Sequence, residues 1–221
     1  MNIAIDGPAG AGKSTVAGQV AAKLGFVYID TGAMYRALAW AVLQSGLSVH
    51  NEESVAALLQ DSHIQLQRTS DGNQHVIWNQ EDITTNIRTP EVSNYASIVA
   101  SHGKVRQQML TLQRNMATQG SVVMDGRDIG THVLPDAEIK VFLTASIQER
   151  AQRRYKELLS KGFDANLEQL KQEIAERDKR DMEREVAPLR QAEDAILVDT
   201  TGQSIEEVVQ HILEICKRIG E

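Results

Sequence analysis

Cysteine is nearly absent from this chain. Cys216 is the only one, which excludes a disulfide framework and any cysteine-based metal site. No run approaches the roughly 18 consecutive apolar residues of a membrane span, so a transmembrane helix is excluded. Aromatics make up only 4%, yet a hydrophobic content of 42% suffices for a sizeable core in 221 residues. There is no basic excess either. A net charge of −7 argues against a nucleic-acid polymer, which requires a broad cationic face. A mononucleotide needs only a local cluster of cations and stays open. Met1 runs directly into the first apolar segment, so no leader is expected. The chain reads as a soluble cytoplasmic protein, taken to act as a monomer, with no membrane partner.

What is present begins at Gly7-Pro8-Ala9-Gly10-Ala11-Gly12-Lys13-Ser14, followed by Thr15. It fills G-x-x-x-x-G-K-[ST], the phosphate-binding loop. Three glycines let the backbone wrap a phosphate, because side chains there would block the approach. Loop N–H groups and the following helix N-terminus then face negative charge. In this motif the lysine reaches the β- and γ-phosphates and the hydroxyl ligates Mg²⁺, so Lys13 and Ser14 take those roles. The context is the required one. Residues 2–6 read as a buried strand before the loop, and Val16, Val20 and Leu24 recur at helical spacing after it.

Further along, apolar runs of strand length lie at 26–30, 121–125, 139–145 and 195–199, with helical patterns between them. Five such strands, near-continuous in apolar residues, predict an α/β fold: a parallel sheet covered by helices on both faces. Ligands would then sit at the strands' carboxyl ends, which carry Asp6-Gly7, Asp30-Thr31, Asp125-Gly126 and Asp199-Thr200. The stretch after Asp61 changes character. Ile64 and Leu66, then Val76 and Trp78, alternate with polar residues about Asp71-Gly72, a hairpin signal. Ile83–Ile87 is expected to add a third short strand, and Thr89-Pro90 to open a helix. An antiparallel hairpin among βα units reads as an insertion at about 62–102. The core would comprise 1–61 and 103–221, with a lid at about 150–190.

Residues 166–185 carry a stripe that changes chemistry. Leu167, Leu170 and Ile174 step as a core-facing helix does, and the same steps continue to Arg177, Asp181 and Arg184. Either this is a solvated face with an ordinary i, i+4 pair, or it presents guanidiniums to a phosphate chain. Seven of the fourteen arginines lie between Arg150 and Arg190, which favours the second reading beside a phosphate loop.

Three segments then carry a family resemblance: Asp30-Thr31-Gly32-Ala33-Met34-Tyr35-Arg36, Asp125-Gly126-Arg127-Asp128-Ile129-Gly130-Thr131 and Glu176-Arg177-Asp178-Lys179-Arg180-Asp181. With the phosphate loop, in this order, the chain resembles bacterial-type cytidylate kinases essentially end to end. The resemblance implies transfer of the ATP γ-phosphate to CMP or dCMP, with the insertion as the monophosphate-binding domain. It implies that Thr31, Arg36, Arg127 and Arg184 surround the transferring and accepting phosphates. Ser97, Arg106 and Asp128 would read cytosine, and Arg177 with Asp181 the ribose. Threonine stands at 31 where the family often has serine, and the hydroxyl is retained. The chemistry is consistent. An unprotonated Asp128 can accept from cytosine N4, and Arg106, a donor only, suits N3. Asp125 is a candidate for a metal-linked role, and Asp30 for assistance near the acceptor oxygen. Of the six histidines only His132 lies near these motifs.

Rival readings are separable. A regulatory GTPase needs an N-K-x-D motif, which is absent, and Asp199-Thr200-Thr201-Gly202 comes too late in the chain for a switch. A phosphate-loop kinase for UMP, AMP or a sugar acid is the nearer alternative. A non-enzymatic interaction module would show no nucleotide-dependent rise in melting temperature.

Overall fold

In a computed structural model of the chain, the described residues are 1–68, 74–118 and 120–220. Asp71-Gly72, the expected hairpin turn, lies outside them.

The apolar runs become strands β1 (Asn2–Asp6), β2 (Val27–Asp30), β6 (Val122–Gly126), β7 (Ile139–Thr144) and β8 (Ile196–Asp199). They form one sheet in the order β2-β6-β1-β7-β8. The pairings of β1 with β6, β1 with β7, and β7 with β8 are parallel, and Asp6 stands opposite Gly126 in register. Position in that order explains burial. The central β1 is sealed on both faces through Ile3, Ala4 and Ile5, whereas β8 lies at an edge and leaves Ile196 and Leu197 exposed. Near-continuous burial was expected of every strand; an edge strand has one neighbour fewer to cover it.

Two compact units emerge, Met1–Tyr28 with Gly120–Glu221, and Ile29–Gln119. In the first, α1 (Lys13–Leu24) and α8 (Ile205–Gly220) pack on the sheet, Val16, Val20 and Ile212 joining Ile3, Ile5 and Val141 in one core. A satellite cluster joins α6 (Ile147–Ser160) to α7 (Leu167–Glu183) through Ala151, Leu158, Leu170 and Ile174. Three of these helix starts are closed by side-chain caps. Ser146 Oγ accepts from the Glu149 N–H, Asn166 Oδ1 from that of Gln169, and Ser204 closes a reciprocal capping box with Glu207.

The second unit holds α2 (Thr31–Gln44), α3 (Glu52–Gln60), α4 (Pro90–Val99), α5 (Gly103–Ala117) and a small antiparallel sheet. That sheet is β3 (Ile64–Arg68), β4 (Gln74–Trp78) and β5 (Glu81–Asp82), in this order. The stretch 62–102 lies within this unit. There Ile64, Val76 and Trp78 of the hairpin and Val92, Ala96 and Val99 of α4 share one core with Leu38, Leu59 and Met109. The third strand is not Ile83–Ile87. It is Glu81–Asp82, joined to β4 through Asn79 and Gln80, both at positive φ. A 3₁₀ turn at Asn86–Arg88 follows. The Ile87 N–H bonds back to the Ile83 carbonyl at 3.2 Å, a helical closure rather than a ladder bond, and both isoleucines are buried in the core.

Candidate active site

Asp6 ends β1 and delivers the chain into the phosphate loop. Gly7 has φ +147°, and a Cβ there would stand 2.0 Å from the Leu143 carbonyl oxygen on β7. Only glycine lets the loop leave the sheet so closely. Gly12 caps α1 in the left-handed region. Lys13 opens α1, buried, and its Nζ donates to the Pro8 carbonyl at 2.7 Å. Burial lowers its ammonium pKa well below the ordinary value, Arg127 and Arg177 lower it further, and Asp125 and Asp6 oppose them. Three cations thus converge on one loop of backbone N–H groups, a charge that a polyphosphate would neutralise. Beside them Ser14 Oγ donates to Asp125 Oδ2 at 2.9 Å, and Tyr28 OH to Asp125 Oδ1 at 2.8 Å.

The residues after β6 pair with α7. Arg127 Nε donates to Asp181 Oδ2 at 2.9 Å, and Arg184 Nη2 to Asp128 Oδ1 at 3.2 Å. Burial raises the Asp181 carboxyl, but Arg127, Arg177 and Arg184 outweigh it and hold it below the usual carboxylate range. Arg184 is itself steadied by the carbonyl of Ala187, a residue at φ +50°. The stripe on α7 therefore does turn from apolar to charged while staying inward: Leu170 and Ile174 are followed by buried Asp178 and Asp181, with Arg177 half-buried.

The second unit carries the other expected residues. Asp30 caps α2, its Oδ1 accepting from the Ala33 N–H at 2.8 Å, while Oδ2 accepts from Arg36 Nη2 at 2.8 Å. Thr31 and Ser97 are buried. Arg106 is buried too, its guanidinium 5.8 Å from the centre of the Tyr35 ring and donating to the Ala100 carbonyl one turn beyond Ser97. The aromatic face of Tyr35 adds a cation–π contact to the hydrogen bonds that orient the guanidinium.

Comparison with known proteins decides the family. The model of the cytidylate kinase family matches residues 3–218. The chain belongs to the cytidylate kinase family. It is 57% identical over 215 residues to the cytidylate kinase of Bacillus cereus strain G9842, covering 97% of this chain and 95% of that protein. The Bacillus cytotoxicus cytidylate kinase matches with the same identity and coverage. Among solved structures, an uncharacterized protein from Eubacterium ventriosum shares the fold, with a TM-score of 0.53 and 12% identity over 97% of both chains.

Within this family member, four residues of the site are given no role by the sequence. Arg150, on α6, donates from Nη1 and Nη2 to both carboxylate oxygens of Asp178, at 3.1 and 2.6 Å. It also reaches the phosphate loop, donating to the Ala9 carbonyl at 2.9 Å, and the end of β7 at Ala145, 3.0 Å. One side chain thus joins loop, sheet and α7. Asp178 was findable, since it lies four residues beyond Ile174 on the buried stripe; Arg150 carried no signal. Nor did Tyr28, at an exposed-looking position in β2; Asp6 is legible as a strand end beside the ligand, but the partners its carboxylate takes are not.

Proposed function

We propose that this protein transfers the γ-phosphate of ATP to CMP or dCMP, yielding the nucleoside diphosphate. The observation that carries this reading is 57% identity to curated cytidylate kinases along nearly the whole chain. The charges around the phosphate loop support it independently.

Gly7, Pro8, Ala9, Gly10, Ala11, Gly12, Lys13, Ser14 and Thr15 hold the ATP phosphates, backbone N–H groups and Lys13 carrying most of the binding. Ser14, with buried Asp125 behind it, offers the hard oxygen donors that Mg²⁺ takes. Mg²⁺ keeps several waters and phosphate oxygens and needs only one or two protein groups. When bound it neutralises charge on the β- and γ-phosphate oxygens.

An oxygen of the CMP phosphate attacks the γ-phosphorus, a new P–O bond forms, and the β,γ-bridging bond breaks with its electron pair going to ADP. The acceptor is an anion already, so positioning and electrostatics carry the reaction with little need of a base. Arg36, Arg127 and Arg184 hold the acceptor and transferring phosphates, with Thr31 supplying a hydroxyl. Asp30 assists by orienting Arg36, both of its oxygens being engaged in that and in capping α2. Ser97, Arg106 and Asp128 read cytosine, and Arg177 with Asp181 the ribose. Fixed donors and acceptors matched to cytosine would be left unpaired by uracil, which is how discrimination arises. The protein acts as a monomer in the cytoplasm, to be checked by light scattering and cell fractionation. Turnover with ATP and Mg²⁺ across CMP, dCMP, UMP and AMP tests the assignment. CMP or dCMP is expected to be fastest, and faster UMP or AMP phosphorylation refutes it.

A further inference from the structure

We propose that Asp6 is a positioning residue whose carboxylate ties the strand entering the phosphate loop to the backbone that presents Arg127 and Asp128. The inference rests on the CMP kinase reading for its kinetic consequence, though not for its geometry. Asp6 is the last residue of β1, buried, and directly precedes Gly7. Its Oδ1 accepts the Ile129 N–H at 2.8 Å and its Oδ2 the Gly130 N–H at 2.7 Å. These two donors open a single wide turn, Ile129–Val133, in which Val133 N–H bonds back to Asp128 and Leu134 N–H to Ile129. The first N–H groups of a turn have no partner within it and must find one outside. Here Asp6 is that partner. Asp128 stands at the junction with φ −143° and ψ 26°, neither helical nor extended. A residue in so unusual a conformation keeps it only when the chain on both sides is held. The donor loop and the acceptor-reading residues are therefore joined through one carboxylate.

The surroundings make this anchor respond to protons. Burial pushes the Asp6 carboxyl up to about 7, further raised by Asp128 and opposed by the Ile129 and Gly130 N–H groups and by Lys13. Asp125 and Arg127 on the β6 side, Lys140 on β7 beside Gly130, and His132 on the anchored turn are the other charged or titratable neighbours. Ionised, the group accepts both N–H bonds. Protonated, one oxygen becomes a hydroxyl and one N–H loses a good acceptor. The folded value lies above the ordinary 3.8, so this group's contribution to stability is complete at low pH and is lost as pH rises through about 7. Proton uptake thus favours the fold while loosening the anchor. It follows that Asp6→Asn, which copies the neutral form in shape, is expected to fold.

The test is steady-state kinetics of the full chain and of Asp6→Asn between about pH 5.5 and 8.5, with melting temperatures alongside. The expected result at pH 8 is a KM for CMP raised about ten-fold, the scale of one buried donor left unsatisfied, with KM for ATP changed far less. In the unmodified protein KM for CMP should rise as pH falls through about 7, and Asp6→Asn should lose that limb relative to it. A purely structural aspartate would lower the melting temperature and leave KM for CMP and its pH dependence alone; that outcome overturns the proposal. Amide proton shifts of Ile129 and Gly130 in the unmodified chain supply a second test, independent of the variant and of the substrate. They should titrate together near pH 7, and their indifference to pH overturns the anchor even if CMP turnover is confirmed. If CMP is not phosphorylated while the two amides titrate, the kinase reading fails and the anchor stands.

Discussion

Asp178→Ala breaks an ion pair in which both side chains are buried. Arg150 is 4% exposed and Asp178 8%, and the two are joined by a bidentate contact at 3.1 and 2.6 Å. Truncation leaves the guanidinium in place with only the Ala9 and Ala145 carbonyls as acceptors. An uncompensated buried charge of this kind costs about 3–5 kcal/mol. At about 2–4 °C per kcal/mol for a chain of this size, the melting temperature should fall by about 6–20 °C. Urea denaturation followed by circular dichroism gives the same quantity from the midpoint and slope. Two comparisons sharpen the reading. Glu157→Ala removes two surface pairs, with Arg154 and with Lys161, at a carboxylate 44% exposed, and should cost no more than about 1 kcal/mol. Replacing both partners by apolar residues, Arg150→Met with Asp178→Leu, should recover much of the loss, since the penalty comes from the orphaned charge. A loss below about 1 kcal/mol for Asp178→Ala, or a double variant worse than the single one, would refute the reasoning.

Arg184→Met removes a cation proposed to act on charge developing during transfer, so kcat should fall about 10²-fold or more while KM for CMP changes little. A raised KM with unchanged kcat in the same assay would assign Arg184 to ground-state binding. Gly7→Ala brings a Cβ against the Leu143 carbonyl at 2.0 Å and should abolish ATP-dependent protection against thermal unfolding. Gly25→Ala, also at positive φ but with nothing within 4 Å, should cost only about 1 kcal/mol and keep that protection. Chelation of divalent cations should reduce turnover to background, with recovery on adding Mg²⁺; turnover that persists in excess chelator would exclude the proposed role of Ser14.

Much of the fold is legible locally. Apolar runs of strand length, and Asn51, Thr89, Ser146, Asn166 and Ser204 as helix caps, express preferences that need only a few neighbouring residues. The phosphate loop is legible for the same reason, since backbone curvature and the reach of one lysine are written within eight consecutive positions. The hairpin end was misread at Ile83–Ile87 because β5 follows a turn of Asn79 and Gln80 at positive φ, where Gln80 is an unusual occupant. The α7 stripe was visible as a change of chemistry in constant phase. Its meaning was not, because a charged stripe looks the same whether its partners are water or arginines on other elements.

Residue types and their short-range order thus specified the phosphate loop, the strands and helices, and the family motifs that imply cytosine and two phosphate chains. Pairing was decided elsewhere. Asp178 meets Arg150 across 28 positions, Asp128 meets Arg184 across 56, and Asp6 meets Ile129 and Gly130 across more than 120. Such contacts depend on the sheet order β2-β6-β1-β7-β8, which brings chain-distant strand ends side by side. Burial then changes what those groups are. In water Asp6 would be an ordinary carboxylate and Lys13 an ordinary ammonium; enclosed by the fold, the one titrates near neutrality and the other well below its usual value. Low dielectric and long-range placement belong to no stretch of sequence, and they are what turn a phosphate-binding motif into a site.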